Sequence, residues 1–175
     1  MRLRNSWRGL ARGLLLAVLA FAWLGGMRQA RAAETLLNRK APEFVRRDLN
    51  GGTVSLAHLR GKVVLVNFWA VWCAPCQAEM PVFASWQRKY GPQGLQVVGI
   101  SMDDHEAPVR KVVARLKLDY PIAMGDVKLG ERYGGVLGLP LTYILDREGV
   151  VRARFQGTTD LKRIEKEIQQ QLKLR

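Results

Sequence analysis

Val63-Val64-Leu65-Val66-Asn67-Phe68-Trp69-Ala70-Val71-Trp72-Cys73-Ala74-Pro75-Cys76 is the stretch on which the chain is organised. Its first eight residues form a short, β-branched and aromatic run of the kind that makes a strand buried on both faces. After Cys73 the apolar period changes. Met80, Phe83, Trp86 or Gln87, and Tyr90 recur every three or four residues, as one face of a helix does. The two thiols are therefore expected where a central strand ends and a helix begins. The free N–H groups and the positive dipole end of a helix favour an anion at that place. A free cysteine has a pKa near ~8.5, and helix-start cysteines with this spacing fall to about 7 or lower. That shift amounts to roughly 2 kcal/mol in favour of thiolate. Two intervening residues put both sulfurs on one turn, close enough to form a disulfide.

Two other uses of a Cys-x-x-Cys pair fit less well. Zinc wants four ligands, and the only imidazoles are His58 and His105, far apart in sequence. An inert disulfide over so short a loop would constrain the unfolded chain little. A redox-cycling dithiol is the reading that the strand–helix placement favours.

The formal net charge of +13 looks like a nucleic-acid signature until it is located. Arg2, Arg4, Arg8, Arg12, Arg28 and Arg31 precede the first acidic residue, Glu34, leaving 22 of the 28 basic residues against 15 acidic ones. These are scattered among acids with no aromatic-interleaved basic patch, so no nucleic-acid partner is expected. Residues 1–32 have the three parts of a secretory signal. An Arg-rich start is followed by an apolar run, Leu14 to Leu24, and then by Ala30-Arg31-Ala32 as a cleavage site. The apolar run is shorter than the ~20 residues that span a bilayer. A cleaved signal is expected, with an uncleaved membrane anchor as the alternative. Residues 33–175 then form one domain in an oxidising compartment, the periplasm.

Along that domain, residues 42–55 read as a β-hairpin with a tight turn at Asn50-Gly51-Gly52, and residues 56–61 as a helical turn ended by glycine. Pro81 is expected to kink the first helix. Leu95 to Ser101 is a second buried strand. Asp103, Asp104 and His105 form the loop after it, and acids there are expected to cap the next helix rather than hold a metal. Val109, Val112, Val113 and Leu116 make its apolar face. A short strand over 120–124 and a short helix over 126–133 lead to a glycine-containing loop. A hairpin follows (141–146 and 150–156), and then a final helix with Leu161, Ile164, Ile168 and Leu172 inward. This order reads as an α/β domain with a mixed sheet flanked by helices.

At these residues the chain resembles the thioredoxin-like superfamily, and within it the TlpA/ResA-type thiol–disulfide oxidoreductases. The most specific match runs from Gly61 to Pro81 through Trp72-Cys73-Ala74-Pro75-Cys76, and Leu139-Pro140 before a strand is the second signature. The resemblance implies a thioredoxin fold with an added N-terminal β-hairpin. It implies that Cys73 is the exposed nucleophile and Cys76 the buried resolving thiol. It also implies that Pro140 is cis and packs against the disulfide. Asn67 stands where cytoplasmic thioredoxins carry a buried aspartate, and an amide cannot take a proton from Cys76. Glu79, three residues after Cys76 on the same helical side, is the candidate for that task, and a solvated surface position is the alternative for it. Trp72, Pro75, Leu139 and Pro140 are the expected substrate surface.

The resemblance further implies a monomer with no cofactor beyond the Cys73–Cys76 disulfide and no metal. It implies protein disulfide substrates (apocytochrome c or a copper-site assembly protein) and a membrane thiol donor of electrons. The same residues run in reverse would make an oxidant or isomerase, and a copper carrier is the non-enzymatic alternative. A thiol peroxidase fits poorly. Phe68, Trp69 and Val71 stand where peroxiredoxins place a threonine or serine and a proline.

Overall fold

Every residue from Val63 to Trp69 is buried, as a run apolar at every position but Asn67 requires. The computed structural model describes residues 36–174; the expected signal segment and its cleavage site lie outside them. A hairpin, β1 (Val45–Arg47) and β2 (Thr53–Ser55), leads through a 3-10 turn (Ala57–Leu59) to β3 (Val63–Trp69) and α1 (Ala74–Tyr90). β4 (Leu95–Ser101), α2 (Glu106–Arg115), β5 (Ile122–Met124) and α3 (Val127–Arg132) follow. β6 (Leu141–Leu145), β7 (Val151–Gln156) and α4 (Leu161–Lys173) complete the chain.

The main sheet has the order β5-β4-β3-β6-β7, with β4 parallel to both β3 and β5, and β6 antiparallel to β3 and β7. Because side chains alternate along a strand, β3 feeds two cores. Val63, Leu65 and Trp69 pack on one face with Met80 and Phe83 of α1, Val109 of α2, and Ile164 and Ile168 of α4. Val64, Val66 and Phe68 pack on the other with Phe44, Val54, Leu129 and Tyr133, under the hairpin and α3. The mixed sheet, its flanking helices and the N-terminal hairpin are as expected, and together they are the thioredoxin fold.

Two local expectations change. The hairpin turn is tight but falls one residue earlier than expected, over 49–51: the Gly51 N–H donates to the Asp48 carbonyl and the Asp48 N–H to the Gly52 carbonyl, each at 2.9 Å. Leu49 leaves the ladder, buries its side chain and donates its N–H to the Ile122 carbonyl at 2.9 Å. Helix α1 runs on through Pro81, whose ring lies on the exposed side, where water can reach the carbonyl that loses its partner. Asp103 and Asp104 do not cap α2, whose N-cap is His105 with no side-chain hydrogen bond.

The sheet end that carries the thiols is tightly closed around Gly125. A Cβ there would stand 2.8 Å from Ile100 Cγ2, 2.8 Å from Met102 Sδ and 3.0 Å from the Ser101 carbonyl oxygen. That carbonyl is fixed by the Gly125 N–H at 2.6 Å, so it cannot yield freely. Gly125→Ala is expected to cost about 2 kcal/mol by overpacking. It should appear as a lower urea midpoint with an unchanged slope.

Candidate active site

Strand β3 ends at Trp69, and the chain turns through Ala70, Val71 and Trp72 into α1. Cys73 is the N-cap of that helix: its backbone is extended, and its Sγ accepts the Cys76 N–H at 3.3 Å. Pro75 sits in the first turn, where its missing N–H costs nothing. The two cysteines form a disulfide with a Cα–Cα distance of 5.3 Å. Cys76 is fully buried and Cys73 is 4% exposed. The order is the one expected, but Cys73 is less open than an exposed nucleophile should be. Its sulfur is bonded back toward the helix, and Trp72, at 72% exposed, takes the outer position.

Antiparallel pairing places Leu141 opposite Phe68, so Leu139 and Pro140 lie at the same end of the sheet as the thiols. The Leu139–Pro140 peptide is cis, Pro140 is buried and Leu139 half-buried. The Pro140 carbonyl accepts the Gly157 N–H at 2.8 Å, which brings the β7–α4 loop to the site. Thr159 of that loop lies against Glu79.

Glu79 is not a solvated helix residue. It is 5% exposed, and its Oε1 has no hydrogen-bond partner among the described residues. Burial pushes its carboxyl up from 4.5 to about 7, and the Thr159 backbone N–H works weakly against that rise. Asn67 is fully buried on the strand face that points toward α1. Its Nδ2 donates to Thr142 Oγ1 at 3.0 Å, while its Oδ1 accepts from none of the described residues. The layer beneath the disulfide thus holds an amide that cannot titrate and a carboxyl that does so near neutrality.

Asp103, expected as a helix cap, and Gln77, which no pattern in the sequence singles out, also belong to the site. The Val71 N–H donates to both oxygens of Asp103, at 3.2 and 3.0 Å, and the Val71 carbonyl accepts from Gln77 Nε2 at 2.6 Å. Among the described residues, no group of three or more His, Cys, Asp or Glu could hold a metal ion. Clefts of about 320 Å³ beside Asp146 and Arg152, and of about 520 Å³ beside Arg47 and Arg110, are lined by residues away from the thiols.

A dithiol at the start of a helix, on this sheet and beside a cis proline, defines a thioredoxin-fold thiol–disulfide oxidoreductase with Cys73 and Cys76 as its redox pair. Comparison with known proteins agrees: residues 37–154 match the AhpC/TSA family, and the chain belongs to that family. It is 32% identical over 131 residues to the thiol-disulfide oxidoreductase ResA of Bacillus thuringiensis subsp. konkukian, covering 74% of this chain and 75% of ResA. It is 36% identical over 133 residues to the thioredoxin-like protein YneN of Bacillus subtilis, covering 74% and 77%. Among solved structures, a thiol:disulfide interchange protein of the thioredoxin family from Chlorobium tepidum superposes with a TM-score of 0.70. That pair shares 28% identity, covering 76% of this chain and 95% of the other.

Proposed function

We propose that the protein reduces selected protein disulfides outside the cytoplasm, with Cys73 attacking and Cys76 resolving. Residues 1–32 serve as the secretory signal, and residues 33–175 act as a monomeric domain in the periplasm. The Cys73 thiolate attacks a substrate disulfide and forms a mixed disulfide, expelling one substrate thiol. The Cys76 thiolate then attacks Cys73 Sγ, which releases the second thiol and leaves the Cys73–Cys76 disulfide. Two electrons pass from the pair to the substrate, and a membrane thiol donor restores the dithiol. The pair is itself the redox group, so neither metal nor cofactor takes part. Trp72, Pro75, Leu139 and Pro140 form the rim on which an extended substrate segment lies. The candidate substrates are the haem-binding cysteines of apocytochrome c and the thiols of a copper-site assembly protein.

The observation that supports this reading most is the buried Glu79. Cys76 must lose its proton before it can resolve the mixed disulfide, and a base works best with a pKa near the working pH. Glu79 lies one turn from Cys76 and titrates at about 7. The reduction potential tests the direction of electron flow: a standard potential well above about −200 mV would favour an oxidant instead. Cys76→Ser, expressed in the native compartment, is expected to accumulate mixed disulfides through Cys73 whose partners identify the substrate. If the reduced chain bound one copper ion per dithiol and no such adducts formed, the carrier reading would replace this one.

A further inference from the structure

The backbone of Val71, two residues before the reactive thiol, is held from both sides. Asp103 accepts the Val71 N–H through both carboxylate oxygens, at 3.2 and 3.0 Å. It is itself fixed by Ser101, a fully buried residue at the end of β4, whose hydroxyl donates to Asp103 Oδ2 at 2.8 Å. The Asp103 N–H returns a hydrogen bond to Ser101 Oγ at 3.2 Å. From the other side Gln77 Nε2 donates to the Val71 carbonyl at 2.6 Å, and Gln77 Oε1 accepts from Arg115 of α2. The Met102 N–H donates to the Trp69 carbonyl at 2.8 Å, so the β4–α2 loop closes on both ends of the segment 69–71. Trp72 and Cys73 follow directly, and the Cys73 N–H donates to the Ala70 carbonyl at 3.1 Å, so the held segment runs into the helix N-cap.

We propose that Asp103, acting with Gln77 through the Val71 peptide, is a positioning residue for thiol–disulfide exchange: it fixes the backbone that carries Trp72 and Cys73 Sγ. The inference rests on Cys73 being the attacking sulfur and holds for either direction of electron flow. Exchange needs three sulfurs nearly in line, so freedom in the backbone next to the attacking one lowers the fraction of productive encounters.

The test compares Asp103→Ala, Asp103→Asn and Gln77→Ala in the full chain, by the rate constant at which the reduced protein attacks a disulfide-linked peptide. Asp103→Ala is expected to slow attack roughly tenfold, since small displacements of reacting groups cost one to two orders of magnitude. Asp103→Asn keeps an oxygen for the Val71 N–H and should stay within about threefold of the unsubstituted chain. Gln77→Ala should fall between them, and the double variant should be less impaired than the product of the single effects. Titration of Cys73 by thiolate absorbance should be the same in all of them. An unchanged rate in Asp103→Ala overturns the proposal. So does an Asp103→Asn variant as slow as Asp103→Ala with Cys73 ionising at lower pH, because the charge and not the placement would then be acting. A rate loss that only follows the folded fraction, measured by circular dichroism, overturns it as well. An unsubstituted chain that reduces no disulfide would show instead that the redox assignment itself is wrong.

Discussion

Cys73→Ser is expected to abolish reduction of a disulfide substrate, lowering the rate roughly a thousandfold or more, as removal of a nucleophile does elsewhere. A serine hydroxyl is not ionised near neutral pH and cannot form the mixed disulfide on which the rest of the cycle depends. Cys76→Ser is expected to behave differently. Its first attack should run at close to the unsubstituted rate and stop at one equivalent of trapped substrate. The contrast follows from the geometry: Cys73 is the N-cap with some surface, and Cys76 is sealed inside the first turn. Stopped-flow release of the leaving thiol, followed by mass spectrometry of the adduct, distinguishes the two. Adducts carried by Cys76 in the Cys73→Ser variant would reverse the assignment.

Glu79→Gln is expected to slow turnover by roughly tenfold to a hundredfold, the low end of what a positioned base supplies. The pH–rate profile should also lose its limb near neutrality. The same substitution should raise stability at alkaline pH. Folding lifts the Glu79 carboxyl from 4.5 to about 7, so between those values the native state binds more protons than the unfolded chain, and stability falls as pH rises. The advantage is complete below pH 4.5 and is lost as pH passes through about 7. At 1.36 kcal/mol per unit the loss is roughly 3 kcal/mol. Glutamine at this place carries no charge to bury, so its urea midpoint should stay level from pH 5 to pH 8 while that of the unsubstituted protein declines. A parallel decline in both, or an unchanged pH–rate profile, would remove Glu79 from the mechanism.

Most of the scaffold was legible from periodicity. The run from Val63 to Trp69 is apolar on both alternating faces, with Asn67 its one polar residue, and that is satisfied by a strand covered on both sides. Ile164 and Ile168 of the last helix mark its inner face in the same way. The misjudged features were those where a contact distant in sequence overrides a local preference. Leu49 looked like part of a hairpin strand but is drawn into the core beside β5. Asp103 looked like a helix cap, and instead it finds the Val71 N–H 32 residues away.

The site divides along the same line. Cys73, Cys76 and their place at a helix start were written in the sequence, because a turn between strand and helix is built from neighbouring residues. The sequence could nominate Glu79 but could not say whether it meets water, because burial depends on what the β7–α4 loop lays over it. The Asp103–Val71–Gln77 clamp left no local trace, because it exists only once parallel pairing of β3 with β4 brings two loops together. Local chemistry thus identified the reactive atoms. Only the packing of distant segments decided the environment that sets their proton affinity and their freedom to move.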